Sequence, residues 1–326
     1  MVTSPPTRSP RLVTVFGGGG FIGRYVCEML LKSGVRVRVA QRDAKSAFFL
    51  QPLGGVSQLD IVRADASNPA SVAAAVAGAD SVVNLVAVMG RDMLAINANG
   101  AGHVASAAAA AGATTLVHIS AIGADPDGAS LYAQSKGKGE AQVRAAFPTA
   151  TIIRPSLVFG AEDQLTNRFA GLLAMLPLYP VIAPKTRFQP VFVRDLARAI
   201  AAAALDPADH RGQIYEIGGP QVMTMRELTA AIGTAANQST ELVDMPNFAA
   251  DLMSRFGFLP MAPLTRDQWI SLQSDNVVAP DAKGLADFGI DPVTLAAAAP
   301  EWLGRFREGG RFAAQAAPRP TSDTAR

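Results

Sequence analysis

A tyrosine and a lysine four residues apart are the residues of this chain best suited to proton chemistry. The stretch YAQSK places Tyr132 and Lys136 on one face of a predicted helix. An ammonium group near a phenol lowers the pKa of the phenol, so that the tyrosine can pass a proton to or from a substrate. Ser120 ends the apolar run TLVHIS, and its hydroxyl could orient a carbonyl or an alcohol. We take Ser120, Tyr132 and Lys136 as candidate catalytic residues; a surface Tyr and Lys beside a capping Ser is the alternative.

Glycines cluster near the start of the chain, between an apolar run and a helical pattern. In VFGGGGFIGR, Gly17, Gly20 and Gly23 form the spacing G-x-x-G-x-x-G. The first glycine permits a tight turn, the second lets a pyrophosphate approach the backbone, and the third lets helix and strand pack closely. The N–H groups at the start of the helix then face the anion. The motif predicts a dinucleotide site formed by Gly17, Gly20, Phe21, Ile22, Gly23 and Arg24.

The end of the second predicted strand bears on which dinucleotide binds. NAD-binding proteins usually place an acidic side chain there, which accepts hydrogen bonds from the ribose 2′-hydroxyl. This chain has Gln41 at that place and Arg42 next to it, and Arg24 follows the third glycine. Because two guanidinium groups attract a 2′-phosphate, we predict NADP(H). NAD(H) is the alternative, since a shifted register would bring Asp43 to the ribose.

A further acidic residue, Asp65, ends the run LDIVRAD. At the end of a strand its carboxylate could accept a hydrogen bond from the adenine amino group. An aspartate that only solvates a loop is the alternative.

Strand-length apolar runs alternate with helical patterns from Leu12 onward. The runs are LVTVF, VRVRVA, LDIVRA, SVVNLVA, TLVHIS and TIIRPSLVF. This alternation predicts βαβ units, and therefore an α/β fold with a doubly wound parallel sheet of the Rossmann type. Ligands bind at the carboxyl edge of such a sheet, which is where Ser120 and the glycine turn would meet.

The chain divides into four predicted regions. Residues 1–10 are Pro- and Ser-rich and read as a disordered arm, and 11–240 form the NAD(P)-binding domain with returning substrate-side elements. Residues 241–316 form a smaller docking or lid region, and 317–326 a disordered tail. The apolar, Pro-broken stretches LLAMLPLYPVIAP and FGFLPMAPL could be core, a lid, or a surface that meets a protein or a membrane.

Composition excludes several classes of function. A net charge of +2 and the lack of a stripe of basic and aromatic residues argue against nucleic acid as a partner. The single cysteine, Cys27, rules out a disulfide within the chain and suits a reducing compartment. The three histidines lack ligand spacing, so we predict no metal site. No apolar run is long enough to span a bilayer, and we expect any membrane contact to be peripheral.

Together these motifs resemble the short-chain dehydrogenase/reductase superfamily, in its extended or atypical branches. The resemblance covers most of the chain and rests on GGGGFIG, VNLVA, NANG, YAQSK, RPSLVFG and QPVFVRD. It implies that Ala87 borders the cofactor, that Pro155 and Val158 approach the nicotinamide, and that Lys136 also binds the nicotinamide ribose. Extended members place the serine farther ahead of the tyrosine than the 12 positions found here. The resemblance therefore implies a catalytic role for Tyr132 more directly than for Ser120.

A narrower resemblance, to the nucleotide-binding accessory subunits of respiratory complex I and their bacterial relatives, rests on longer stretches. These are VHISAIGAD, SKGKGE, AFPTATIIRPSLVFGAEDQLTNRFA, RFQPVFVRDLARAI and the late segment PLTRDQWISLQSDNVV. The resemblance implies tightly held NADPH without established turnover, and partners among the peripheral-arm and membrane-proximal subunits of complex I. It also implies a cytoplasmic protein peripherally associated with the inner face of the energy-conserving membrane.

Three hypotheses follow. The leading one is an NADPH-binding accessory subunit or assembly factor of complex I, without turnover of its own. The intact Tyr132 and Lys136 also suit an NADP-dependent reductase or a nucleotide-sugar epimerase or dehydratase. A free-standing redox sensor is the third. The residues alone leave open whether the site turns over.

Overall fold

A computed structural model describes residues 11–257 and 264–307 of the chain. The predicted arm over 1–10, the predicted tail over 317–326 and most of the stretch FGFLPMAPL lie outside the described residues. In the described part, no helix combines the length and the apolar character needed to cross a bilayer.

A parallel β-sheet forms the centre of the molecule. The strands, in chain order, are β1 (Leu12–Phe16), β2 (Arg36–Gln41), β3 (Leu59–Arg63), β4 (Ser81–Asn84), β5 (Thr115–Ile119), β6 (Thr151–Pro155), β7 (Val158–Phe159), β8 (Leu178–Val181), β9 (Arg187–Phe188), β10 (Val191–Phe192), β11 (Ile214–Ile217), β12 (Met223–Thr224) and β13 (Glu241–Asp244). Seven of the described strands form the central sheet in the order β3-β2-β1-β4-β5-β6-β11, with every neighbouring pair parallel.

Helices connect these strands. The α-helices, in chain order, are α1 (Phe21–Lys32), α2 (Pro69–Val76), α3 (Ala101–Ala110), α4 (Leu131–Ala146), α5 (Gln164–Met175), α6 (Val193–Leu205), α7 (Met225–Ala235), α8 (Asn247–Arg255), α9 (Arg266–Ser271), α10 (Leu295–Ala298) and α11 (Pro300–Leu303). Short 3-10 segments cover Ala44–Leu53, Leu285–Phe288 and Gly304–Phe306, and a π-helical segment, Leu94–Gly100, leads into α3.

The sheet is covered on both faces, which is why its strands read as apolar runs. All five residues of β1 and all five of β5 are buried. One face packs on α1 and α6, in a core that includes Val15, Leu30 and Ile200. The other packs on α2, α3 and α4, in a core that includes Leu116 and Val143. This arrangement confirms the predicted doubly wound Rossmann-type sheet.

The strand order reverses beside β1, and the reversal locates the ligand crevice. From β1 the chain moves outward through β2 to β3, and then returns to place β4 on the other side of β1. The connections on the two sides diverge and open a crevice at the carboxyl edge. The ends of β1, β4, β5 and β6 therefore lie around the crevice predicted to hold the dinucleotide.

A smaller layer lies on the substrate side of the sheet. It is built from short strand pairs, β7 with β10, β8 with β13 and β9 with β12, and from α5, α7, α10 and α11. Phe159, Phe192 and Trp302 form its aromatic centre, with the Phe192 and Trp302 rings stacked 6.3 Å apart. α7 begins with a capping box. The Thr224 side chain accepts a hydrogen bond from the Glu227 N–H, and the Glu227 side chain accepts one from the Thr224 N–H.

Candidate dinucleotide-binding site

The glycine turn joins β1 to α1 and exposes backbone N–H groups at the start of the helix. Gly17 has φ +77°, a conformation that L side chains rarely adopt, and its N–H donates to the Ala40 carbonyl oxygen at 3.0 Å. Gly20 occupies the N-cap of α1 and has no side chain to cap the helix. The N–H groups of the first turn, at Phe21 and Ile22, are therefore placed to bind an anion.

Two of the glycines serve close packing. A Cβ added at Gly23 would lie 2.6 Å from Gly18 Cα, so the third glycine of the motif allows α1 to lie against the turn. A Cβ at Gly18 would lie 2.9 Å from Cys27 Sγ. Cys27 is fully buried, and its Sγ contacts the turn at Gly18.

Gln41 bonds to the glycine turn on the side predicted to face the adenosine. It is the last residue of β2, and its side-chain oxygen accepts a hydrogen bond from the Gly19 N–H at 2.8 Å. Its side-chain nitrogen donates to the Ser46 hydroxyl. Asp43 instead caps the following 3-10 segment, where its carboxylate accepts from the Lys45 N–H at 3.1 Å. The register therefore places a neutral amide, Gln41, at the end of the strand.

The two predicted phosphate-binding arginines differ in environment. The Arg24 guanidinium forms an ion pair with Glu162 at 3.0 Å and lies 4.6 Å over the Phe49 ring. Its Nε is buried and has no hydrogen-bond partner among the described residues. Arg42 is exposed at the carboxyl edge. The charge of Arg24 is thus shared with Glu162, whereas Arg42 faces solvent.

Asp65 lies after β3 and is held by its own loop. One of its carboxylate oxygens accepts hydrogen bonds from the Ser67 N–H at 2.9 Å and from the Ser67 hydroxyl at 2.8 Å. These hydrogen bonds, and then the positive charge of Arg42, lower the pKa of Asp65 below its usual range. The carboxylate is ionised at neutral pH and able to accept a further hydrogen bond.

Lys136 lies inside the protein beneath the carboxyl edge. Its side chain is only 1% exposed, and Nζ donates to the Ile119 carbonyl oxygen at 2.7 Å. Burial lowers the pKa of Lys136 to about 8, although the nearby Glu140 carboxylate acts in the opposite direction. Glu140 is itself held by Arg154, with two hydrogen bonds of 2.8 and 2.7 Å.

Tyr132 lies in the first turn of α4, the helix that carries Lys136, and the pKa of its phenol differs from the sequence prediction. Burial raises the pKa of Tyr132, whereas the sequence led us to expect that the lysine would lower it. The Lys136 ammonium is directed to the Ile119 carbonyl, and desolvation is the cause of the raised pKa of the phenol.

Two polar atoms near Lys136 have no hydrogen-bond partner among the described residues. They are the hydroxyl oxygen of Ser120 and Nε2 of His118, and both are buried. His118 Nδ1 lies 3.2 Å from the Asn84 side-chain nitrogen, so Nδ1 accepts and Nε2 carries the proton in the neutral ring. Burial, and then the charge of Lys136, hold the pKa of His118 well below its usual range. The apolar neighbours of His118 in TLVHIS could have located this histidine inside the sheet.

The loops around the crevice hold the remaining predicted residues. Ala87 is exposed after β4, in a loop tied to α4 because Asn97 bonds both Val88 and Ser135. Pro155 is the buried last residue of β6, and Val158 is partly buried in β7. The residues named from the sequence therefore lie at or after the carboxyl ends of the parallel strands, in β7, and on α1 and α4, and their contacts with a cofactor stay a prediction.

Two polar residues at the site were not predicted, and both belong to the late segment. Asp267 accepts hydrogen bonds from the Leu131 N–H at 2.6 Å and from the Tyr132 N–H at 3.3 Å. Asn276 accepts from the Ser156 hydroxyl at 2.7 Å and donates to the Ile122 carbonyl oxygen at 3.3 Å. No local pattern indicates these contacts, because the partners are more than a hundred positions apart.

These features fit a nicotinamide dinucleotide. The glycine turn provides an open cradle for a pyrophosphate, and the buried, unpartnered Ser120 hydroxyl lies at the far end of the same edge. When bound, such a cofactor supplies hydride chemistry at its nicotinamide ring. In that case the N–H groups of the first turn of α1 would contact its phosphates, and Lys136 would contact its ribose.

Comparisons with known proteins agree with this fold and with binding of a nicotinamide cofactor. A family model described as NAD(P)H-binding matches residues 17–169. An NADPH-dependent quinone oxidoreductase from Escherichia coli, solved in complex with NADPH, has a TM-score of 0.72 to this chain. It is 19% identical and the match covers 89% of this chain and 99% of that one, so it shows a shared fold.

Two relatives extend the similarity to nearly the whole chain. Subunit 9 of the alpha subcomplex of mitochondrial NADH dehydrogenase (ubiquinone) 1 from Arabidopsis thaliana is 30% identical over 319 residues, covering 92% of this chain and 79% of that protein. Its counterpart from Rattus norvegicus is 32% identical over 305 residues, covering 91% of this chain and 80% of that protein. The chain therefore belongs to the family of alpha subcomplex subunit 9 of NADH dehydrogenase (ubiquinone) 1.

Proposed function

We propose that the protein is an NADPH-binding accessory subunit or assembly factor of respiratory complex I, the NADH:quinone oxidoreductase, and that it has no turnover of its own. The observation that carries this proposal is the similarity to alpha subcomplex subunit 9 along 91% of the chain. That similarity extends well beyond the residues, 17–169, that match the NAD(P)H-binding family model.

The geometry of the site supports binding more than catalysis. A phenol that exchanges protons efficiently has a pKa near the working pH, whereas burial raises the pKa of Tyr132. Lys136 donates to a main-chain carbonyl, and its own pKa lies near 8. In this proposal Lys136 and Tyr132 bind the nicotinamide ribose, and Gly17, Gly20 and the first turn of α1 bind the pyrophosphate.

NADP(H) is the dinucleotide that we assign to the site. Gln41 ends β2 with a neutral amide, and Asp43 caps the segment that follows, so the last residue of β2 is not the acidic side chain that usually accepts from a ribose 2′-hydroxyl. Arg42 is an exposed cation directly after β2, and in this proposal it is the main ligand of a 2′-phosphate. Arg24 contributes a second, weaker attraction because Glu162 shares its charge.

The partners in this proposal are the peripheral-arm and membrane-proximal subunits of complex I. The protein would then lie on the cytoplasmic side, peripherally associated with the inner face of the energy-conserving membrane. The names of the relatives in the family support the assembly, and the particular subunits contacted are part of the proposal.

An NADP-dependent reductase or nucleotide-sugar epimerase is the second candidate. One observation favours it: the buried Ser120 hydroxyl has no partner among the described residues and is free to bind a carbonyl oxygen. In that case Tyr132 would be the general acid or base, Lys136 would adjust its pKa and bind the ribose, and the nicotinamide would supply or accept the hydride.

Fractionation of membranes separates the two candidates. Detergent-solubilised membranes from the source cells would be resolved on a native gel and probed for the protein and for NADH dehydrogenase activity. We expect the protein to migrate with complex I, and to leave that position in cells that lack a core subunit of the complex. Migration as a free protein in both samples would contradict the proposal.

A further inference from the structure

The late segment connects a distant part of the chain to the helix that carries Tyr132 and Lys136. The helix α4 begins after Ser130, whose hydroxyl accepts from the Ala133 N–H at 3.1 Å. The carboxylate of Asp267 accepts hydrogen bonds from the two N–H groups that precede Ala133, those of Leu131 and Tyr132. A side chain from another helix thus completes the cap, and its negative charge suits the N-terminus of α4.

Asp267 is itself held in a fixed position. Its helix, α9, begins with a capping box formed by Thr265 and Gln268. The next residue, Trp269, is 5% exposed, and its indole N–H donates to Asp251 of α8 at 3.1 Å. The helix that carries the Asp267 carboxylate is therefore held in place by hydrogen bonds and by the buried side chain of Trp269.

The same segment is fastened to the site at a second place. Asn276 bonds to the Ser156 hydroxyl after β6 and to the Ile122 carbonyl after β5. These two loops end the strands that flank the predicted nicotinamide position. The segment from Thr265 to Asn276 therefore crosses the substrate side of the site and contacts three of its elements.

From this geometry we propose that Asp267 is a positioning residue for the nicotinamide half of the dinucleotide site. By capping α4, it fixes the backbone of Tyr132 and, one turn later, the direction of Lys136. The adenosine half of the site, on β2 and the glycine turn, does not depend on it. This inference rests on the proposed binding of NADPH.

The test compares two ligands that use different halves of the site. NADPH would use the whole site, whereas adenosine 2′,5′-bisphosphate would use the adenosine half alone. We expect Asp267→Ala to weaken NADPH about tenfold and to leave the affinity for the bisphosphate within about twofold, both by calorimetric titration. Asp267→Asn keeps an acceptor oxygen and is expected to restore most of the NADPH affinity.

Asp275→Ala is the matched control. Asp275 belongs to the same segment but bonds to Arg187, away from α4, so we expect both affinities to be unchanged. Unchanged NADPH binding by Asp267→Ala would overturn the inference. An equal loss of both ligands would also overturn it, because the segment would then support the fold as a whole.

Hydrogen exchange without nucleotide gives a second measurement. We expect the amides of Leu131 and Tyr132 to exchange at least about tenfold faster in Asp267→Ala than in the unaltered chain, and equal rates would contradict the inference. If the unaltered chain binds neither ligand, the proposed function fails, and the exchange rates still decide whether Asp267 fixes α4.

Discussion

At the residue scale, Lys136 has an environment unlike that of an ordinary, exposed lysine. It is buried, its ammonium donates to a main-chain carbonyl, and its pKa is lowered to about 8. The ammonium is therefore present below that pH and lost above it. A ribose hydroxyl bound to Lys136 would be held most strongly by the charged form.

We predict that NADPH binds most tightly below pH 8 and more weakly as the pH rises through that value. Lys136→Met should bind NADPH at least about tenfold more weakly at neutral pH, because a hydrogen bond to a charged group contributes about 1.5–3 kcal/mol. Fluorescence titrations across this pH range measure both effects. Lys138→Met, exposed on the same helix, is the control and should behave like the unaltered chain. An unchanged affinity in Lys136→Met would refute the ribose-binding role.

The same pKa predicts how stability depends on pH. The unfolded chain keeps the Lys136 proton up to an ordinary pKa of 10.5, whereas the folded chain loses it near 8. Between these values the unfolded state binds more protons, so the contribution of this group to the free energy of unfolding rises with pH. We expect Lys136→Met to unfold at higher denaturant than the unaltered chain at neutral pH, with a difference that shrinks towards pH 10. A constant difference would contradict the lowered pKa.

In the proposed site, Arg42 is the residue that would favour NADPH over NADH. We predict that Arg42→Asp weakens NADPH at least about tenfold relative to NADH, since it replaces an attraction for the 2′-phosphate by a repulsion. Arg36→Asp makes the same charge change at the other end of β2 and should leave the ratio of the two affinities unchanged. Equal losses of NADPH and NADH in Arg42→Asp would exclude the 2′-phosphate assignment.

The sequence predicted the candidate site residues but only part of their environment. The spacing of Tyr132 and Lys136 placed both on one helix, which the structure confirms. The direction of the Tyr132 pKa was wrong, because burial depends on packing that the spacing does not reveal. The ion pair of Arg24 with Glu162 was also missed, since it joins residues 138 positions apart in different elements.

At the element scale, the glycine turn and α1 pack too closely to accept a side chain at Gly23. A Cβ at Gly23 would lie 2.6 Å from Gly18 Cα, so the helix and the turn would have to separate. We predict that Gly23→Ala lowers the free energy of unfolding by about 3 kcal/mol, the upper range for overpacking, and abolishes measurable NADPH binding. Chemical denaturation and a binding titration measure these two losses.

Gly233→Ala is the control for this prediction. Gly233 lies in α7, where an added Cβ would have its nearest neighbours at 3.6 Å, an ordinary contact. Alanine also favours the helical conformation over glycine by about 0.5–1 kcal/mol. We therefore expect Gly233→Ala to be neutral or slightly stabilising. Equal stability of Gly23→Ala and the unaltered chain would show that α1 can move away from the turn without cost.

The elements of the sheet were predictable, whereas those that cover the substrate side were not. Fully buried parallel strands read as short apolar runs, so β1, β5 and β6 appear directly in the sequence. The strands β7, β9, β10 and β12 have only two residues each, too few for any period to show. The position of α9 depends on Asp251 and Trp269, which are 18 positions apart and give no local signal.

At the scale of the whole molecule, a dinucleotide-binding sheet carries a smaller layer that covers its substrate side. The late segment contacts α4 and the loops after β5 and β6, and so it encloses the place where a substrate would meet the nicotinamide. This arrangement is consistent with the proposed accessory subunit, which would hold its cofactor and serve an assembly.

The central claim is that the bound nucleotide is held and not consumed. The most direct test is to purify the protein with its native nucleotide and follow the near-ultraviolet absorbance of reduced nicotinamide while quinones and carbonyl compounds are added. Denaturation of a parallel sample identifies the nucleotide released. We expect NADPH that stays reduced with every compound. Oxidation by one class of compound, with release of NADP⁺, would contradict the claim and make Tyr132 a catalytic residue.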